Sequence, residues 1–414
     1  MTKLHPEINL KADIMKNLLK LFTIFFSAAL LFSACEGPMG PAGADGTDGA
    51  DGADGTDANE TCKTCHNNTV VQAKSIEYEH SLHFTGEAFE EGTRNNCAPC
   101  HSHQGFLDVI KNNTPATIVV NPTDPTKYVN NYVASASAIA LPGAISCFTC
   151  HSSLHKEYES TEFMPLATTA SVSMTMWGGS KSINFAQTSS NLCAKCHQPR
   201  PVTASSGALI DYSKLVSEPA TTYSLSSISY RTGIHYGAHA AMAAGVGGIE
   251  FGTGYTNSAH VAGASCTSCH MATPSGLAGG HSFNATGNFA GCNTTGCHTS
   301  MSASNTTYTA ATADITAKLT DLAAEINAIG AGHDILQKDP EDGLYHGYFD
   351  IYDQNANPTG YWKNPANGSP ALPALTNAQF GAIINYQLVF RDASKGVHNY
   401  PYIRKLLENT LSAI

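Results

Sequence analysis

The sequence predicts a mostly α and irregular fold, with little regular structure through its middle, one small β-hairpin and a set of C-terminal helices. Three observations predict it. Between Cys62 and His298, six cysteine pairs, each followed by a histidine, sit in sequence rich in Gly, Ser, Thr, Ala and Asn, where long amphipathic periods are scarce. One tract alternates cleanly, with Val172, Met174 and Met176 on one face and Ser171, Ser173 and Thr175 on the other. After His298, apolar residues recur at helical spacing.

From the N-terminus, residues 1–34 resemble a lipoprotein-type signal peptide. Lys16 and Lys20 precede a run of twelve mostly apolar residues, Leu21 to Phe32, with Met15 as a plausible start. That run is shorter than the ~20 residues that span a bilayer. It ends in Phe32-Ser33-Ala34-Cys35, which makes Cys35 the expected site of lipidation. Residues 35–61 then hold the anchor cysteine and an acidic collagen-like spacer. Its seven Gly-x-y triplets, Gly37 to Asp57, carry only Pro38 and Pro41 as ring-stiffened positions. With Asp45, Asp48, Asp51, Asp54 and Asp57 repelling one another, the segment is expected to be a solvated tether reaching about 27 Å as a coil.

The expected location is therefore outside the cytoplasm, as an outer-membrane lipoprotein at the cell surface or on the periplasmic side. Without Lys3, Lys11, Lys16, Lys20, Glu7 and Asp13 of the leader, the chain carries 18 basic and 31 acidic residues, a net charge of −13. That balance makes nucleic acid a poor partner. It suits a cationic patch on a protein partner, or metal ions and mineral surfaces.

Residues 62–300 form the region of the cysteine pairs. Five motifs have two residues between the cysteines: Cys62/Cys65/His66, Cys97/Cys100/His101, Cys147/Cys150/His151, Cys193/Cys196/His197 and Cys266/Cys269/His270. The sixth, Cys292/Cys297/His298, has four. C-x-x-C-H is the attachment signature of c-type haem: two thiols add to the haem vinyl groups, and the next residue supplies the proximal imidazole. Zinc knuckles, redox dithiols and disulfides need no histidine directly after the second cysteine. For the wide motif the competing reading is a local disulfide. Cysteine parity argues against it, because only Cys35 is left over of the thirteen. The expectation is six haem c in a multihaem cytochrome whose porphyrins supply the large apolar surfaces, so that the polypeptide need not build a conventional core. Export agrees, because bacterial haem attachment takes place outside the cytoplasmic membrane.

The alternating tract ends at Trp177-Gly178-Gly179, which predicts a hairpin with a partner strand near Ile183 to Ala186. Met174 and Met176 then look like hairpin packing rather than iron ligands.

A haem with two protein ligands is closed and only exchanges electrons, whereas an open one can bind a small molecule. Beyond His5 and the six motif histidines, eleven remain: His80, His83, His103, His155, His235, His239, His260, His281, His333, His346 and His398. Supply exceeds the six distal ligands needed. Three stretches are similar to exported multihaem cytochromes distantly related to cytochrome c nitrite reductase and the octahaem reductases. They are Asn191 to Arg200, the run from Asn257-Ser-Ala-His260 through Cys269-His270-Met271 to Gly279-Gly-His281-Ser-Phe283, and Asn385 to Asn399. The resemblance implies that His83, His260, His281 and His398 are distal ligands. His235 is a fifth candidate with His239 as rival, and the sixth is His155 or His103. His80, His333 and His346 are not expected to ligate. The lysine that replaces the motif histidine at the nitrite reductase catalytic haem has no counterpart, since no C-x-x-C-K occurs.

Residues 301–414 form a helical segment packing on the haem core and supplying a distal histidine. Ile315, Leu319, Leu322 and Ile326 share one helical face, with Thr312 as cap and Gly330 as stop. A second helix starts after Thr376, with Phe380, Ile383, Ile384 and Leu388 inward, and a last one after Pro401 turns Ile403, Leu406 and Leu407 inward.

The expected function is electron transfer, with other cytochromes or an outer-membrane conduit as partners and no catalytic residue assigned. A terminal reductase of a small nitrogen or sulfur oxyanion, and a homopolymeric extracellular filament, are the alternatives.

Overall fold

Two cysteines three residues apart lie on one face of a helical turn, with the next histidine beside them, and the four described short motifs fold that way. The computed structural model describes residues 67–124, 128–133, 139–151, 166–176, 181–200, 202, 212–223, 228–352 and 358–414. The leader, Cys35, the spacer, the first motif (Cys62, Cys65, His66) and His155 lie outside these. In chain order the helices are α1 (Asn68–Glu79), α2 (Leu82–Thr85), α3 (Ala98–His101), α4 (His103–Lys111), α5 (Cys147–Cys150), α6 (Ser190–Ala194), α7 (Tyr212–Ser217), α8 (His239–Ala243), α9 (His260–Gly263), α10 (Cys266–His270), α11 (Thr306–Ala328), α12 (Asn377–Asp392) and α13 (Tyr400–Ala413). Glu87–Thr93 and Gly280–Ser282 are 3-10 turns.

Serine caps start two of the motif turns. Ser146 and Thr149 form a capping box ahead of α5, and Ser265 and Ser268 one ahead of α10. The motif backbones share one closure. The histidine N–H donates to the first cysteine's carbonyl at 3.1 Å in His101–Cys97, and at 2.9 Å in both His151–Cys147 and His197–Cys193. The wide motif reaches the same bond, His298 to Cys292 at 3.0 Å, by accommodating its extra residues in a turn with Gly296 at φ +85°. The two additional residues therefore leave the histidine in the same relation to the first cysteine.

Among the described residues, three two-stranded antiparallel sheets accompany the helices. The expected hairpin forms between β3 (Val172–Met176) and β4 (Lys181–Phe185), with Met174 opposite Ile183. Val172, Met174 and Met176 are buried, so the alternation reads out as an inner face, and Met174 packs with Phe185, Ala194 and Ala240. Two other pairs are additional: β1 (Ile118–Val120) with β2 (Tyr128–Asn130), and β5 (Leu336–Lys338) with β6 (Tyr345–Phe349). Both pairings include three-residue strands, too short to show a period in sequence.

The polypeptide does build a conventional core, contrary to expectation. It centres on α12, which buries every residue except Gln379 and Phe390. The sequence suggests one inward face, whereas α12 is enclosed all round by α11, α13, Ile249, Phe251 and β6. Two of its buried amide side chains, Asn385 and Gln387, are satisfied mainly by backbone. Asn385 accepts from Ile249 N–H at 2.7 Å and donates to Ile249 carbonyl and Thr410 Oγ1, both at 2.8 Å. Gln387 accepts from Ile234 N–H at 2.9 Å and donates to the carbonyls of Thr232 and Gly347. Each fully buried Ile, Leu or Phe adds roughly 1.5–3 kcal/mol. α11 starts at Asn305, whose side chain caps Thr307 and Tyr308, so Thr312 is an interior residue rather than the cap. Thr376 caps α12, and Pro401 sits in the first turn of α13. The stretches on both sides of residue 300 belong to one compact unit, Thr61–Ile414. Among the described residues no helix is long and apolar enough to cross a membrane.

Candidate functional site

Each of the five described motif histidines faces a histidine from outside the motifs. His101 faces His235 with ring centroids 5.9 Å apart, and His151 faces His281 at 6.4 Å. His197 faces His83 at 6.0 Å, His270 faces His398 at 6.2 Å, and His298 faces His260 at 6.1 Å. Two imidazoles on opposite sides of one metal ion, each bound at about 2 Å, place their centroids roughly 6 Å apart. Ordinary aromatic pairs span about 4.5–7 Å, so distance alone does not single out ligation. Each motif histidine has its own non-motif neighbour at this spacing, and His239 is an additional neighbour, 5.0 Å from His197 and 6.1 Å from His398.

The outer ring nitrogens are tethered, which sets the tautomer. Nδ1 of His101 lies 2.7 Å from Ala88 carbonyl, that of His260 is 2.9 Å from Val397 carbonyl, and that of His270 is 2.8 Å from Phe283 carbonyl. His235 Nδ1 meets Tyr236 carbonyl, and His398 Nδ1 lies 2.7 Å from Asp392 Oδ1. An Nδ1–H held by an acceptor leaves the Nε2 lone pair for a metal. His281 has its backbone N–H bound to Glu77 Oε2 at 2.9 Å, with Nδ1 3.6 Å from the same oxygen.

Burial keeps several of these rings neutral, the form a metal requires. It holds His83, His270 and His281 below the usual histidine range, and with the neighbouring His239 and His83 it holds His197 well below. Burial together with Arg200 brings His235 down to about 4. At His398 burial works the same way but is outweighed by the Asp392 carboxylate, which raises the imidazole. Asp392 is lowered in turn: His398 and Ser394 overcome the burial that opposes its charge.

His235 and His239 occupy different places, while His155, the rival of His103, lies outside the described residues. His239 meets His197 through Nδ1 on both rings, 2.9 Å apart, and also hydrogen-bonds the Arg391 backbone. It therefore supports the outer nitrogen of His197, while His235 faces His101. His103 joins Thr149 Oγ1 through Nδ1 at 2.9 Å, within the third motif. His333 stacks on Tyr361 at 3.6 Å, and His346 is held by Asp342 at 2.8 Å and Asp339 at 3.5 Å; neither faces a motif histidine.

The thiols show which motifs adjoin. The Cys100 thiol neighbours that of Cys196, placing the second and fourth motifs together, and Cys193 and Cys266 do the same for the fourth and fifth. The Cys193 contact pulls Cys266 down to about 6, while burial pushes Cys150 up to about 11. Cys292 lies within electrostatic reach of Cys269, so the sixth motif adjoins the fifth. Phe283 packs edge-on to His83 at 5.2 Å and against His281 at 5.9 Å, placing one ring between two histidine pairs. No disulfide joins the ten described cysteines, Cys292 and Cys297 included.

Sequence reasoning left Asp392, Glu77, Phe283 and Arg391 without roles. Asp392 and Arg391 lie in the run that ends at His398, but the six-residue separation from His398 matches no helical spacing; a left-handed turn at Ala393, φ +56°, makes the contact. Comparisons with protein-family models, curated proteins and solved structures gave no match for this chain.

Proposed function

We propose that this chain is an exported multihaem c-type cytochrome that carries electrons through six covalently attached haems, most of them closed by two histidines. One observation carries the reading: every described motif histidine stands opposite one non-motif histidine at 5.9–6.4 Å. In such a site the haem supplies one-electron exchange at iron.

The protein's own residues do the rest. Cysteines Cys97, Cys100, Cys147, Cys150, Cys193, Cys196, Cys266, Cys269, Cys292 and Cys297, with Cys62 and Cys65 of the first motif, would form the thioether links. His101, His151, His197, His270 and His298 would bind from one side, and His235, His281, His83, His398 and His260 from the other. Tethered Nδ1 atoms hold the rings of His101, His235, His260, His270 and His398 at a set angle and limit reorganisation when charge changes. The surroundings fit a large apolar group. Phe148, which follows Cys147 in sequence, is 63% exposed, Leu82 and Phe84 flank His83 in sequence at 86% and 55%, and α1 buries no residue against protein.

Adjoining thiols support an ordered array in which the fourth motif touches the second and the fifth. The tether and lipid at Cys35 would hold this array at a membrane surface. Neighbouring redox proteins, metal ions or minerals would then receive or supply electrons.

Expression of the full chain in a host with haem-attachment machinery, followed by intact mass under denaturing conditions, tests the reading. The expected mass carries six haems, and C292A/C297A carries one fewer. A product without covalently retained haem overturns it.

A further inference from the structure

Arg391, near the C-terminal end of α12, is only 5% exposed. Its Nη1 donates to the carbonyl of Ile234, the residue before His235, and its Nε donates to His346 carbonyl at 3.3 Å. Its Nη2 is buried and meets no acceptor. The guanidinium lies over the rings of Tyr236 at 4.7 Å and Tyr348 at 5.1 Å. Among the described residues no carboxylate lies within ion-pair distance of it, and its neighbour Asp392 is engaged by His398 and Ser394.

A guanidinium taken out of water without a counter-charge is costly, and ring faces compensate only in part. Two carbonyls and a hydrogen bond to the Tyr236 side chain hold the fork in place, and Nη2 is the donor left without a partner. A planar carboxylate or small oxyanion is the ligand that such a donor fits best.

We infer that Arg391 is a binding site for an oxyanion beside the His101/His235 pair. Two sources share this chemistry: a propionate of the haem that the pair would hold, and a free nitrogen or sulfur oxyanion. The propionate is favoured, because His235 already closes the position opposite His101 and leaves a free oxyanion no iron to meet. This source rests on the haem reading above.

The test uses the full-length, haem-loaded protein as wild type, R391K and R391Q, followed by optical redox titration and by calorimetric titration with nitrite and with sulfite. With a propionate at Arg391, R391Q moves the potential of one haem to more negative values, R391K keeps most of the wild-type value, and neither anion binds the wild type. Saturable binding of nitrite or sulfite that R391Q abolishes, without a shifted potential, instead assigns the free oxyanion. Identical titrations for all three proteins, with no anion binding, overturn the site. Should R391Q fail to fold, a structure of the wild-type holoprotein decides. An oxyanion or carboxylate oxygen within hydrogen-bonding distance of Nη2 supports the inference, and only water there sinks it. Haem content by mass is read independently, so a failure of the haem reading is distinguishable from a failure of the anion site.

Discussion

Asp392 Oδ1 sits 2.7 Å from Nδ1 of His398, on a carboxylate side chain that is 1% exposed. The residue before it, Arg391, hydrogen-bonds His239 through its backbone and Ile234 through its side chain. One helix end thus braces three histidine pairs: His270/His398 directly, His83/His197 through His239, and His101/His235 through Ile234.

The carboxylate should make His398 a more electron-donating ligand than one whose Nδ1 meets a carbonyl. In D392N the potential of one haem is expected to rise by about 60 mV for each tenfold loss in preference for the oxidised iron. Redox titration and the shift of a single set of low-spin g-values would show it. An unchanged potential would mean that Asp392 only packs.

His235 and His239 make opposite predictions. H235A should open one haem, producing high-spin iron that binds carbon monoxide. H239F should leave every haem low-spin and displace only the potential of the haem held by His197. High-spin iron in H239F with none in H235A would reverse the assignment.

Gly233 has φ +120°, and a Cβ there would lie 1.8 Å from Gln387 Oε1, the atom that pins Ile234 N–H. G233A combines a strained backbone with the loss of that anchor, for a cost of about 1–3 kcal/mol. Chemical denaturation reads the cost, and weaker ligation by His235 should appear as partial high-spin character.

Buried phenols set an alkaline limit. Burial raises Tyr402 and Tyr386 well above the usual tyrosine range and brings Tyr223 to about 12. Above pH ~10 the unfolded chain releases these protons while the folded chain retains them, so stability falls as pH rises. Y402F removes one such group and should flatten the decline. It also loses the bonds to Gly248 N–H and Glu250 Oε1 at the Tyr402 hydroxyl, costing about 1 kcal/mol at neutral pH. Stability curves measured between pH 7 and 11 check both effects.

Much of the site was legible because its chemistry is local. A cysteine pair and its histidine occupy one turn, whereas His83, His260, His281 and His398 are nominated by a family resemblance and not by any local chemistry. Which histidine faces which was not legible, since His101 and His235, or His270 and His398, are joined only by the tertiary fold. The same holds for Asp392, whose contact depends on the turn at Ala393. The hairpin and the C-terminal helices follow from periodicity and capping residues. The core around α12 was underestimated because a helix enclosed on all sides buries Asn385 and Gln387, which look polar until their backbone partners are known.

The most direct test of the account is electron paramagnetic resonance of the fully oxidised, haem-loaded protein. If the five histidine pairs each close a haem, as proposed, the low-spin ferric signals integrate to at least five haems and are unmoved by nitrite or cyanide. High-spin signals from two or more haems would contradict the pairing on which the account depends.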